Sequence, residues 1–312
     1  MANITASMVK ELREMTGAGM MDCKKALGET DGDMEAAVEF LRKNGQAKAE
    51  KKAGRIAAEG LCKVIVKDDK VAAVVEVNSE TDFVAKNEEF QSFVTAVAEQ
   101  AVESDAADLD AFMAEAWKND TSKTVKDALV EKIARIGENL NIRRFEKIEA
   151  ENGCVVSYVH GGGRIGVIVE AETDVVSDAV KEAMTNLAMQ IAALSPKYVS
   201  TEDVSEEYKA HEKEILMAQI ANDPKMAGKS EKVIEGAVTG RLNKELKEVC
   251  LLEQIYVKAE DGKQTVAQYV AQVAKENNAK LSVKRFVRFE TGEGIEKKVD
   301  DFAAEVAAQA GM

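Results

Sequence analysis

The side chains in this sequence that could do covalent chemistry are few and show no useful pattern. There are two histidines, His160 and His211, and they do not assemble convincingly into a His-based metal site or a Ser-His-Asp relay. Cys23, Cys62, Cys154 and Cys250 are scattered with no C-x-x-C pair, which fits reduced structural thiols better than a disulfide framework or a zinc site. Carboxylates are abundant, but nothing singles out a pair for acid–base work, and a solvated surface explains them better. The glycines of "GGGRIG", Gly161, Gly163 and Gly166, formally satisfy G-x-G-x-x-G. They lead into the β-branched run "IGVIVEA" rather than a helix N-terminus, so they read as a hairpin turn and not as a pyrophosphate cradle. There is no G-x-x-x-x-G-K-[ST] loop. The expectation is a protein that works by binding, with no cofactor, no metal and no catalytic residue.

One stretch does carry an unusual pairing. "ETDFVAKNEEF", from Glu80, sets the Asp82 carboxylate beside the Phe83 ring where strand character gives way to helix. A later stretch, "ETDVVSD" from Glu172, repeats the acid and replaces the ring by Val175. On that alignment Phe83 is dispensable for folding, and its neighbours Asp82, Lys86 and Asn87 suggest an exposed loop.

The elements around this stretch follow from periodicity. At the start, Ile4, Met8, Val9 and Leu12, then Met20, Met21, Cys23 and Leu27, then Met34, Ala37, Val38 and Leu41 give three short helices. The first two are broken at "TGAG" and the third ends at Asn44-Gly45, a shape similar to the ubiquitin-associated helical domain. "LCKVIV" and "VAAVVEV" flank "KDDK" as a hairpin, followed by a helix capped by Asn87 that buries Phe90, Phe93, Val94, Val97 and Ala101. The order returns in "CVVSYV", "IGVIVEA" and a helix turning Val180, Ala183, Met184, Leu187, Ile191 and Leu194 inward. "TVKDALVEKIA" from Thr124 matches "TVAQYVAQVAK" from Thr265, and "NIRRFEKIE" matches "SVKRFVRFE", both at a spacing of 141. Asp82 and Asp174 are 92 apart, so the second copy carries a long insertion. That insertion has Tyr208, Ile215, Leu216 and Ile220 on one arm and Val233, Ile234, Val238 and Leu242 on the other, with Pro196 at its base and Pro224 at its tip. It reads as a projecting antiparallel helical hairpin, a surface for self-association or for another molecule.

The fold class expected is therefore α+β: a three-helix module (1–55), a duplicated antiparallel-sheet-plus-helix core (56–152, then 153–194 with 250–290), the inserted hairpin (195–249) and a C-terminal helical module (291–312). Charge narrows the partners. With 42 basic and 56 acidic residues the net charge of -14 disfavours direct contact with nucleic acid. The basic island "RKNGQAKAEKKAGR" lacks aromatics for base stacking and reads as a solvated connecting segment. No apolar run reaches the roughly 18 residues of a membrane helix, and the N-terminal stretch lacks a signal-peptide core, so a cytoplasmic location is expected.

"TASMVKELREMTGAGMMDCKKAL", "NSETDFVAKNEEF", "IGENLNIRRF", "YVHGGGRIGV" and "FETGEGIEKKVDDFAAEVA" together resemble the bacterial elongation factor Ts family over essentially the whole chain. The resemblance implies a guanine-nucleotide exchange factor for the GTPase elongation factor Tu. It places partner contacts at Thr81, Asp82, Phe83 and Val84, with Phe83 wedging beside the GTPase's Mg²⁺ site, and further contacts at Lys52, Ile136, Gly137 and His160. An adaptor using the three-helix module is the other class that the residues allow.

Overall fold

The computed structural model describes residues 4–226 and 228–296; the C-terminal helix expected around Phe302 and Val306 lies outside them. Three helices open the chain: α1 (Ala6–Thr16), α2 (Met20–Glu29) and α3 (Met34–Lys52). Thr5 caps α1 by accepting the Met8 N–H, and Gly17 closes it in the left-handed region at φ 66°. Val9, Leu12, Cys23, Ala26, Leu27 and Ala37 form their shared core.

Two copies of one unit follow. The first comprises β1 (Glu59–Lys67), β2 (Val71–Ser79), α4 (Asp82–Ala85), α5 (Glu88–Glu103), α6 (Leu109–Ala114), the short hairpin β3 (Ala116–Trp117) and β4 (Asp120–Thr124), α7 (Val125–Ile136) and β5 (Asn141–Glu149). The second comprises β6 (Cys154–His160), β7 (Ile165–Thr173), α8 (Asp178–Leu194), the inserted α9 (Glu206–Ala221) and α10 (Glu231–Val249), then α11 (Val266–Glu276) and β8 (Leu281–Glu290). Each copy builds an antiparallel three-stranded sheet, ordered β1-β2-β5 and β6-β7-β8. One face of the first sheet packs on α5 and α7 through Ala73, Val75, Val77, Phe90, Phe93, Val94, Val97, Leu129 and Ile133. One face of the second packs on α8 and α11 through Val167, Val169, Met184, Leu187, Ile191, Val270 and Val273. The remaining faces meet each other through Cys62, Ala72, Val74, Ile148, Val155, Ile168 and Phe289. Helix, sheet, sheet and helix thus form four layers, as alternating side chains require when both faces of a strand are apolar.

The 141-residue spacing is real in three dimensions. Thr124 and Thr265 both head capping boxes, at α7 and α11. Buried Glu76 binds Arg143 (3.0 Å) and Arg144 (2.6 Å), and buried Glu170 binds Lys284 (2.9 Å) and Arg285 (2.6 Å).

The structure corrects five readings. Helix α3 does not end at Asn44-Gly45 but continues to Lys52, because α7 supports it: a Cβ on buried Gly45 would lie 3.7 Å from Val130 and 3.8 Å from Ala134. The basic island is consequently helical over most of its length rather than a loose connector. Leu194 is exposed, since it is the last residue of α8 and Ser195 turns the chain away in the left-handed region at φ 49°. In the hairpin, whose seam is Leu216, Ile220 and Val238, Ile215 and Val233 face outward. Two helices offer each other only one narrow stripe, and Ile215 stands about 100° around α9 from Leu216.

The fifth correction concerns the matched "ETD" triplets, which are not structural equivalents. Glu76 and Glu170 are 94 residues apart, and so are Glu80 and Asp174. Glu80 accepts the Asn139 N–H and Asp174 accepts the Lys280 N–H, two positions that are 141 apart. The caps of α5 and α8, Asn87 and Ser177, are only 90 apart. The first copy therefore holds four extra residues between strand and helix, and these form α4. Phe83 has no counterpart at Val175, because the second copy lacks the whole helical turn.

At the base of the hairpin the N–H groups of Lys197 and Tyr198 donate to the Val249 carbonyl, closing the insertion on itself. Among the described residues no helix is long and apolar enough to cross a membrane.

Glu76 also accepts the Gly292 N–H (2.8 Å), so it ties both sheets to the turn after β8. Burial pushes its carboxyl up, but hydrogen bonds from Gly292, Asn78 and Arg144 outweigh this and hold it below its ordinary value of 4.5. Glu76→Gln should cost about 3–5 kcal/mol in urea unfolding, as expected for breaking a buried pair. A lowered folded value stabilises above the ordinary value and loses its effect as pH falls through the folded one. The margin of wild type over Glu76→Gln should therefore be full at about pH 7 and shrink below about pH 4.

Candidate functional site

Phe83 is 80 % exposed, the most solvent-facing large apolar side chain among the described residues, although it sits on an ordered helical turn. Thr81 caps α4 by accepting the Val84 N–H at 3.3 Å. Val84 and buried Ala85 face the core cluster below, while Gln91 of α5 donates to the Ala85 carbonyl. The turn is thus pinned on its inner side and presents Phe83 outward. Asp82 lies beside the ring, exposed, with the Lys86 ammonium 2.6 Å away holding its carboxyl below the usual range.

Two other segments meet this turn. Helix α7 ends at Ile136, which packs partly on the core, and Gly137 closes it at φ 91° with its N–H donating to Ile133. The next residue, Glu138, accepts from Glu80 N–H (3.0 Å), Thr81 N–H (3.1 Å) and Thr81 Oγ1 (2.7 Å). In return Glu80 accepts the Asn139 N–H and lies 3.4 Å from Arg55, whose carbonyl accepts from Asn139 Nδ2 (2.8 Å). Lys52, half-buried at the end of α3, has its ammonium pushed below the ordinary value by burial and by the Arg55 charge, with Glu80 and Glu138 opposing.

Lys52, Thr81, Asp82, Phe83, Val84, Ile136 and Gly137 are therefore brought to one junction. His160 is not. It is exposed at the end of β6, bonded to Tyr158 Oη at 2.9 Å, beside a turn whose Gly163 carbonyl accepts the Cys62 N–H. That turn borders a groove lined by Leu61, Lys63, Gln91 and Thr95, on the outer side of β1 and α5. Glu80 and Glu138, which hold the junction together, were not singled out in the sequence; the signal was an acid directly after the helix-closing glycine in "IGEN". Among the described residues no group of three or more His, Cys, Asp or Glu could hold a metal ion. The junction offers a ring, an ammonium and a carboxylate for noncovalent recognition.

Fold and site together define a duplicated α+β protein that holds an aromatic residue, Phe83, outward on an anchored helical turn. A family profile described as Elongation factor TS matches residues 80–293. Elongation factor Ts of Clostridioides difficile (strain 630) is 54 % identical over 310 residues, and that of Clostridium botulinum (strain Eklund 17B / Type B) is 52 % identical over 309, each match covering 99 % of both chains. Elongation factor Ts of Clostridium tetani (strain Massachusetts / E88) is 50 % identical over 307 residues, 98 % of this chain and 99 % of its own. The chain belongs to the elongation factor Ts family.

Because Phe83 packs against little, Phe83→Ala should change unfolding free energy by less than about 0.5 kcal/mol, against about 3–5 for a buried ring. Chemical denaturation distinguishes the two outcomes.

Proposed function

We propose that this chain is a guanine-nucleotide exchange factor: it binds elongation factor Tu carrying GDP, promotes release of the GDP, and lets GTP rebind during translation elongation. Family membership supports the general role, and the exposed Phe83 on its pinned turn supports the mechanism. Exchange needs no covalent step. A factor that binds the emptied GTPase better than the GDP-bound one lowers GDP affinity by the same factor that GDP lowers its own. Phe83 enters the GTPase beside the Mg²⁺ and phosphate contacts, with Thr81, Asp82 and Val84 shaping the turn and Lys52, Ile136 and Gly137 contacting the partner around it. His160 adds a separate contact from the glycine turn. The anchoring matters because a wedge that moved freely would spend binding energy on its own ordering before displacing anything. The net charge of -14 favours a protein partner over nucleic acid.

An adaptor reading rests on Met15, Met20 and Met21, all exposed around the turn between α1 and α2. It leaves GDP release unchanged, so one assay separates the two. Wild-type chain should accelerate release of fluorescent GDP from purified elongation factor Tu, and Phe83→Ala should reduce that acceleration by about tenfold or more, the effect of losing an aromatic anchor. No acceleration by the wild type would favour the adaptor.

The hairpin is a separable unit on this reading, since the base closes on itself and the first copy is complete without it. Replacing residues 197–249 by a short linker should leave a cooperatively folded protein that still accelerates GDP release. A folded deletion variant without any stimulation would overturn that separation.

A further inference from the structure

We propose that Glu138 is the positioning residue of the exchange site: its carboxylate holds the Thr81 cap of α4 and so fixes where Phe83 points. This rests on the reading of Phe83 as the exchange wedge, and it adds a residue outside the set of partner contacts that the resemblance implies.

The geometry forms a relay. Glu138 Oε1 accepts a hydrogen bond from the Thr81 hydroxyl at 2.7 Å, which leaves a lone pair of that hydroxyl oxygen to accept the Val84 N–H and cap α4. Glu138 Oε2 takes the N–H groups of Glu80 and Thr81, the backbone immediately before the turn. Bonds to an ionised acceptor are shorter and stronger than neutral ones, so three on one carboxylate make a firm anchor for a turn of four residues. A helix this short has no stability of its own in water, and its order must come from such outside contacts.

The duplication supplies an internal control. At the 141-residue spacing Asn139 corresponds to Lys280, and Gly137 to Asn278, both in the left-handed region at φ 91° and 48°. The bond from the residue-80 side is kept in both copies, as Glu80 to Asn139 N–H and Asp174 to Lys280 N–H. The position of Glu138 corresponds to Ala279, which has no acceptor. The copy with the extra turn has the carboxylate, and the copy without the turn lacks it. A carboxylate needed only to join sheet and helix would serve both copies equally, whereas the structure has it only where there is a turn to hold.

The test uses the full chain and elongation factor Tu carrying fluorescent GDP, with release followed over a range of factor concentrations. The variants are Glu138→Ala, Glu138→Gln, Phe83→Ala and the double variant Glu138→Ala/Phe83→Ala. Glu138→Ala should lower the maximal stimulated rate by about fivefold to tenfold while the factor concentration at half-maximum stays within about twofold, because the turn is mispositioned but the rest of the surface is intact. Glu138→Gln keeps the shape and one acceptor oxygen and should recover part of the loss. The double variant should be no slower than Phe83→Ala alone, since Glu138 acts through the ring. Amide hydrogen exchange at Glu80, Thr81 and Val84 should quicken in Glu138→Ala while that of β2 and α5 does not. If Phe83→Ala exchanges like wild type, the wedge reading itself fails, whatever Glu138 does. If Phe83→Ala is slow but Glu138→Ala matches wild type, or if the two losses multiply in the double variant, the positioning role is wrong and the wedge stands. Should Glu138→Ala unfold, Glu138→Gln decides: wild-type protection of the three amides together with a slowed maximal rate would overturn the proposal.

Discussion

Each sheet in this protein has two apolar faces and a helical layer for only one of them. The two copies solve this by covering each other, so that Cys62, Ala72, Val74 and Ile148 of one sheet meet Val155, Ile168 and Phe289 of the other. The sheets approach closely at Gly166: a Cβ there would come within 3.1 Å of Val74 and 3.2 Å of Cys62. Close packing at that density gives little room for relative movement of the sheets. Elements attached to the ends of their strands, the α4 turn after β2 and the glycine turn with His160 between β6 and β7, therefore hold fixed positions on one body.

With the shared frame settled, each copy carries its own addition. The first has the four-residue turn that exposes Phe83; the second has the α9–α10 hairpin, closed at its base by Val249 and Tyr198. Glu76 and Glu170, each binding two basic side chains from the last strand of its unit, mark what the copies keep in common. Neither addition interrupts that common part, so a binding surface could be built on it without disturbing the core.

Much of this was legible in the sequence because burial leaves a periodic trace. Val75, Val94 and Leu187 fall on faces that simple periods of two and 3.6 pick out, and Thr124 and Thr265 announce capping boxes. What failed depended on contacts distant in the chain. Asn44-Gly45 looks like a helix stop, and only the approach of Val130 and Ala134 shows why the helix continues. The repeated "ETD" letters fall two residues out of structural register, and only the hydrogen bonds to Asn139 and Lys280 reveal it. Phe83 stood out as a rare aromatic among polar neighbours. Glu138, one acid among 56 acidic residues, has only its place after the helix-closing Gly137 to mark it in the sequence, and its role shows in the three bonds it accepts.

The central claim is that contact energy at the Phe83 turn is exchanged against the partner's hold on GDP. Reciprocity makes this measurable at equilibrium, through the affinity of the chain for elongation factor Tu with and without bound GDP. Titration calorimetry on wild type and Phe83→Ala should show wild type binding the nucleotide-free GTPase far more tightly than the GDP-bound form, and the ratio of the two affinities falling by about tenfold or more in Phe83→Ala. An unchanged ratio, with both affinities lowered equally, would make Phe83 an ordinary contact residue and contradict the account.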